Sequence, residues 1–360
     1  MSRLIFCRTA VVPLIFASAA LCVSCGSRRG YAAPEFKSHK TLNFEKVSDE
    51  LMFTPWGILQ YDSLLLVPGF SSESHNTLFV YDKNSGRKIA EGIKYGRGPG
   101  EVIDGFYNIT LDGPEVGYHE RSGLNNLSFS IDDFMEKGAS MPYSQESVDL
   151  PKWCMYYREV TSDRFLSICS RGYLSTDSCA VRTVKLTGND GTVFSYEGSP
   201  VHDPAESFVV YMQPFVTISP DCQKMAIATN RGAILETFDI SEGLKNIATS
   251  LFLEPGVKIT GNSSSRTDSS IYGFGALCSD DRYIYAAYDG ETSYGEIRNR
   301  RKESAPLLYR NVATFDWKGR PNLLSKTNYR VEYLCVSGGT TVYAVVRDLD
   351  GGNYIARAEL

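Results

Sequence analysis

The chain lacks most of the signatures that would assign it a chemistry. It has 37 Lys and Arg against 42 Asp and Glu, a net charge of −5, and no basic stripe interleaved with aromatics. Nucleic acid is therefore not an expected partner. Only four histidines occur (His39, His75, His119 and His202), without ligand spacing, and the nine cysteines form no CxxC pair or Cys/His zinc pattern. No G-x-S-x-G elbow, phosphate-loop lysine or Rossmann glycine spacing is present, so no catalytic residue is assigned from motif. Beyond the first residues, no stretch is long and apolar enough to cross a bilayer.

What is present points to a folded core, with 42% hydrophobic residues, 22 Tyr and 18 Phe. At the amino terminus, Arg3 and Arg8 precede the apolar run TAVVPLIFASAALCV, which contains Pro13. It is shorter than the roughly 18 to 20 residues a membrane span needs, so residues 1–24 read as a signal peptide. The run ends in LCVSCGS, where Ser24 precedes Cys25 and Gly26 follows, and this string resembles the bacterial lipobox. The resemblance implies that the Cys25 thiol receives diacylglycerol and becomes the new amino terminus. Cys22 stands where leucine is commoner, and ordinary secretion is the alternative. The polar segment 25–39 then reads as a flexible tether to a bacterial membrane, the outer membrane favoured, with the chain facing the periplasm or the exterior. Cys154, Cys169, Cys179, Cys222, Cys278 and Cys335 remain for an oxidising compartment. Cys169 and Cys179 bracket SRGYLSTDS, which suits either a disulfide across a hairpin or two small buried side chains.

Six segments repeat one form, an apolar strand, a polar turn and a returning apolar strand: WGILQYDSLLLVP, YNITLDGPEVGYH, YREVTSDRFLSIC, FVTISPDCQKMAIAT, FGALCSDDRYIYAAY and VEYLCVSGGTTVYAVV. Their turn markers, Asp62, Asp112, Asp163, Asp221, Asp280 and Gly338, are spaced by 50, 51, 58, 59 and 58 residues. Further strands follow, several ending in an apolar residue and Asp, at Asp82, Asp132, Asp239 and Asp316. Four short strands in about 40 to 60 residues make a propeller blade. Residues 40–360 are therefore expected to form an all-β, six-bladed β-propeller of four-stranded antiparallel blades. KTLNFEKV near the start and YIARAEL at the end are expected to pair and close the ring. Two stacked sandwiches would require a composition shift near mid-chain, and none occurs. SIDDFMEKG and DPAESFVVYM carry short helix signals.

The lipobox, the six units and the string YGRGPGE before the second unit resemble the TolB-like six-bladed propeller lipoproteins of the Bacteroidetes type, and more distantly NHL-type propellers. The string SPD at Ser219–Asp221 adds to the likeness. The resemblance implies a cell-envelope propeller and supplies no catalytic motif.

Blade geometry puts the connectors between blades on one face with the loops joining second and third strands. Arg121, Arg171, Arg231 and Arg347 recur in that loop class, and Arg97 joins them from GRGPGE. The fifth unit carries a longer loop with Arg298, Arg300 and Arg301, read as a recognition loop or a solvated excursion. Guanidinium groups on one rim suit a small anionic ligand or an acidic envelope protein. Within GRGPGE, Pro99-Gly100 fits a type II turn. The alternative is a metal-dependent hydrolase or lactonase, with Asn108, Glu159 and Glu332 as candidate tunnel ligands for a divalent metal. The preferred expectation is a monomeric, lipid-anchored binding or scaffold protein without a cofactor.

Overall fold

A computed structural model describes residues 31–102, 108–120, 125–150, 154–170, 182–260, 263–300 and 308–360. Each of the six repeated hairpins supplies the two inner strands of one blade. Blade 1 comprises Leu59–Tyr61, Leu64–Phe70, Asn76–Asp82 and Lys88–Lys94, joined by the short pair Thr54–Pro55. Blade 2 comprises Asn108–Asp112, Glu115–His119, Asn126–Ser130 and Tyr143–Glu146, and blade 3 Cys154–Thr161, Arg164–Ser170, Arg182–Gly188 and Val193–Glu197. Blade 4 comprises Phe215–Ile218, Lys224–Ala228, Ile234–Asp239 and Lys245–Leu251, and blade 5 Phe274–Ser279, Tyr283–Tyr288, Asn311–Asp316 and Pro321–Thr327. Blade 6 takes Arg330–Ser337, Thr341–Arg347 and Asn353–Glu359 from the carboxyl end and Glu45–Lys46 from the amino end.

The burial pattern along each strand follows from its position. Second and third strands are covered on both faces by neighbouring blades, so they read as continuous apolar runs such as LLLVP and TLFVY rather than alternating ones. Outer strands face solvent on alternate residues, as in KIAEGIK. Five apolar clusters seal adjacent blades: 1 with 2, 3 with 4, 4 with 5, 5 with 6, and 6 with 1. Among the described residues no such cluster joins blades 2 and 3. The expected helices appear as Ile131–Lys137 and Pro204–Val210. In the second, the Asp203 side chain accepts from the Ala205 and Glu206 amides with Pro at the first turn, which is why DPAE starts a helix.

The ring closes through both termini, in two pieces where the sequence suggested a single strand. Ser38–Leu42 adds a parallel fifth strand to blade 5 along Leu323–Thr327, whereas Glu45 and Lys46 pair antiparallel with Arg357 and Ala356. Between them, Asn328 holds the Phe44 backbone with both ends of its amide, donating to the carbonyl at 3.0 Å and accepting from the N–H at 2.8 Å. Lys46 locks the seam through Asp348 at 2.9 Å and the Tyr354 ring at 3.3 Å. Docking begins ahead of residue 40, where the propeller's edge was expected. The Ala32 amide donates to Leu251 O at 3.0 Å, and the Phe36 ring packs against Phe315 and Tyr288. No helix among the described residues is long and apolar enough to cross a membrane.

Candidate functional site

The inner strands surround a central cavity of about 510 Å³. Its wall is built from side chains such as Ile58, Ile109, Phe215, Leu277 and Leu334 with Asn108, Thr110 and Thr217, and among the described residues Arg158 is the one charged residue lining it. The three candidate ligands are not brought together. Asn108 lines the cavity and donates to Tyr157 O at 2.6 Å. Glu159 turns instead into a separate cavity between blades 2 and 3. Glu332 is held by Arg330 at 2.8 Å and Arg347 at 3.8 Å. Among the described residues, no three His, Cys, Asp or Glu side chains are grouped to hold a metal ion.

GRGPGE is a turn that fills its own hollow. Gly98 accepts from the Glu101 amide at 3.1 Å and Gly100 has φ +71°, as a type II turn with Pro99-Gly100 at its centre requires. The Glu101 carboxylate accepts from the Gly98 N–H at 2.7 Å and lies where a Cβ at Gly96 or Gly98 would stand. An anion would have to displace that carboxylate, and Arg97 beside it is exposed.

The other arginines have different company. Arg298 pairs with Asp268 at 2.8 Å, and Arg347 shares Glu332 with Arg330. Arg121, Arg171 and Arg301, the Arg300 side chain, Cys179 and the lipidation residue Cys25 lie outside the described residues. Cys169 is a thiol whose cross-strand partner is Cys154.

Arg231 is the exception, because its neighbour is a second cation. It sits in the turn TNRG between the second and third strands of blade 4, where Gly232 adopts φ +81° and packs under Pro255. The hairpin Val257–Thr260 and Ser263–Arg266, inserted between blades 4 and 5, brings Arg266 alongside. Both line a cavity of about 310 Å³ with Val210, Met212, Phe215, Asn230 and Tyr309, and Phe215 is also part of the central cavity's wall. Burial, and then repulsion from Arg266, lowers the Arg231 pKa. Among the described residues neither guanidinium has a carboxylate within ion-pair distance. Arg266 donates to Asn230 Oδ1 at 2.5 Å and stacks over Tyr272 at 4.1 Å, while its Nε is buried without a hydrogen-bond partner among those residues. Asp289, a nearby acid, is taken up by its own turn, accepting from the Thr292 N–H at 2.6 Å and the Tyr309 N–H at 3.2 Å.

Arg266 and the aromatic frame escaped the sequence reading, although signals existed. VKIT-GN-SSSR is an alternating run and a polar run about a Gly-Asn pair, and Gly-Asn is a two-residue hairpin signal. The longer loop of blade 5 contains the helix Tyr294–Arg300, opened by a capping box: Ser293 Oγ accepts from the Glu296 N–H at 3.2 Å, and Glu296 Oε2 accepts from the Ser293 N–H at 2.8 Å. Its Tyr294 ring lies 5.9 Å from Arg266, so the described part of that insertion helps frame the cavity.

A family described as TolB-like 6-blade propeller-like matches residues 33–337. The chain belongs to that family. Among solved structures it is similar to a Bacteroides fragilis protein inferred to be exported, at 12% identity, TM-score 0.51, and coverage of 90% of this chain and 98% of that one. It is also similar to the PQQ-bound aldose sugar dehydrogenase of Streptomyces coelicolor, at 16% identity, TM-score 0.51, and coverage of 91% and 99%. A gluconolactonase from Xanthomonas campestris follows at 11% identity, TM-score 0.47, and coverage of 89% and 90%. At these identities the likeness is one of fold. No curated protein matches the sequence.

Proposed function

We propose that this TolB-like propeller is an exported, lipid-anchored binding protein that receives a small anionic ligand with an apolar body on its connector face. The observation that carries this reading is the Arg231–Arg266 pair, two neighbouring cations without a carboxylate partner among the described residues, bordering a cavity of about 310 Å³. Two like charges held together at a cavity mouth are unfavourable until an anion joins them. Each charge-assisted hydrogen bond to a carboxylate or phosphate oxygen then contributes about 1.5–3 kcal/mol. Val210, Met212 and Phe215 offer the remaining surface to a hydrocarbon or aromatic portion. The described chain also enters on this side, because Ala32 bonds to Leu251 at the connector end of blade 4's outer strand. The stretch from Cys25 to Ala32, fully extended, reaches about 25 Å at most.

The test is isothermal titration of the mature chain with inorganic phosphate and with aliphatic and aromatic carboxylates, repeated with the Arg231→Ala/Arg266→Ala double variant. Wild type is expected to bind an apolar carboxylate more tightly than phosphate, and the double variant to lose at least about ten-fold in affinity. Equal affinities in the two proteins, or no binding by wild type to any compound, would overturn the reading.

A further inference from the structure

Blade 3 carries a second chemistry, independent of the cation pair. Cys154 opens its first strand and Cys169 nearly closes its second, and the antiparallel register sets them directly opposite each other. Opposed residues on paired strands bring their Cβ atoms to about 4.5–5.5 Å, close to the separation a disulfide spans. A register irregularity between Cys154 and Tyr156 marks that end of the pair. The Cys154 thiol donates to Tyr156 O at 3.2 Å, the Cys169 thiol feels its presence, and both residues are half-buried rather than sealed in the core.

We propose that Cys154 and Cys169 form a cross-strand disulfide in the exported protein, in place of the Cys169–Cys179 bridge that sequence spacing alone suggests. The oxidant is a disulfide, either of a thiol oxidoreductase or of low molecular weight. The Cys169 thiolate attacks one of its sulfurs and expels a thiol. The Cys154 thiolate then attacks the Cys169 sulfur and expels the second. Two thiols of the chain thus lose two protons and two electrons, and the oxidant's disulfide becomes two thiols. Cys169 suits the first step. Its hydrogen bond to Cys154 acts first to lower its pKa, burial opposes this, and the nearby Lys185 charge assists.

Cys278 and Cys335 supply the contrast. They also neighbour each other, on blades 5 and 6 at the central cavity, yet burial pushes the Cys335 thiol up to about 12 and that of Cys278 well above its ordinary value. These two are expected to react last with alkylating reagents. The bridge would fix the first two strands of blade 3 to each other at their connector-face end.

Trypsin places the three cysteines of this region on separate peptides, Trp153–Arg158, Phe165–Arg171 and Gly172–Arg182. The mature chain is treated with oxidised glutathione, alkylated without reduction, digested and weighed. A linked species of the first two peptides, two hydrogens lighter than their sum, is expected, kept in Cys179→Ser and lost in Cys154→Ser. Reduction is expected to lower the unfolding midpoint of wild type by roughly 5 °C and leave that of Cys154→Ser unmoved. Both peptides alkylated, or Phe165–Arg171 linked to Gly172–Arg182, overturns the proposal. The proposal takes an oxidising compartment from the export reading. Linkage with glutathione but free thiols in protein isolated from cells would therefore uphold the pairing and count against export.

Discussion

Blade 3 is joined to its two neighbours by seams of opposite construction. Toward blade 4, Leu166, Ile168, Val184 and Leu186 pack on Met225, Ile227 and Phe238, and an ion pair lies within that apolar layer. Arg182 reaches Glu236 with Nη2 at 2.8 Å and with Nη1 on the other oxygen, gives its Nε to Gly198 O at 2.9 Å, and stacks on Tyr211 at 4.3 Å. Tyr211 in turn donates to Glu236 at 2.8 Å, and neither charged side chain has any exposure. Toward blade 2 the contact is polar. His119 lies 2.9 Å from Thr110 Oγ1 and 3.9 Å from the half-buried Glu159, beside a cavity of about 240 Å³ lined by Asp112, Glu115 and Arg158. A guanidinium cannot shed its charge, so burying one requires a fixed carboxylate with its lone pairs taken up. An imidazole can shed its charge, so it needs no such partner. The Arg231–Arg266 pair is a third arrangement, two half-buried cations with no carboxylate within ion-pair distance among the described residues. Set against Arg182, this difference is what the proposed ligand site rests on.

The largest effect should come from breaking the sealed seam. Glu236→Gln leaves Arg182 charged and buried with an inadequate partner, and is expected to cost about 3–5 kcal/mol in denaturant unfolding. Replacing the whole pair, as Arg182→Met/Glu236→Leu, should recover most of that loss, because two apolar side chains of similar volume need no counter-charge. If Glu236→Gln unfolds at the wild-type midpoint, the seam is not held by charge pairing. By contrast, Arg231→Ala/Arg266→Ala should leave stability unchanged or slightly raised, since it relieves repulsion.

The open seam should be visible as a pH dependence. Burial, and then the Arg158 charge, lowers the His119 pKa to about 3, and Glu159 at 3.9 Å is too loosely placed to offset this. With a folded value near 3 and an unfolded value near 6.5, the unfolded chain binds the extra proton between those limits. Stability therefore falls as pH drops below about 6.5, by up to about 1.4 kcal/mol per pH unit from this group. The check is the slope of the unfolding midpoint against pH from 7 to 4.5 in wild type and His119→Gln. Identical slopes would place the acid sensitivity elsewhere.

The fold was legible because blades advertise themselves. Six hairpins with turn residues at regular spacing leave few other architectures, and DPAE announced its helix through a mechanism that the structure reproduces. The closure was half legible, since nothing in KTLNFEKV shows that its first residues pair with blade 5 and only Glu45 and Lys46 with blade 6. The site was less so. Arg231 and Arg347 occupy equivalent loops, yet one faces Arg266 and the other Glu332, and periodicity cannot report which neighbour a loop residue meets. Glu236, in the run LETFD, reads as one more polar position of a strand. Only the register, which sets Glu236 opposite Ile227, and the packing of Arg182 against it reveal a buried pair.

The smallest effect sharpens the comparison most, because its sign is opposite to that of the first. Burial raises the Glu159 pKa, and the charges of Asp112 and Glu146 add to this while Arg158 opposes it. A carboxyl whose folded pKa lies above its unfolded value favours folding below the unfolded value and loses that contribution as pH rises through the folded one. A charge on Glu159 therefore weighs against its seam, whereas Glu236, bonded to Arg182 and Tyr211, holds its own together. Glu159→Gln keeps the shape and removes the charge, so it should raise stability at pH 7 by a few tenths of a kcal/mol, the exposure of the side chain keeping the gain small. That gain should shrink as pH falls through the raised folded value and vanish below the ordinary carboxylate range, where Glu159 is protonated in both folded and unfolded chains. Chemical denaturation of the two proteins at pH 7 and pH 4.5 decides it. A loss of stability at pH 7 would mean that Glu159 is a paired anion, and that the two flanks of blade 3 follow one rule after all.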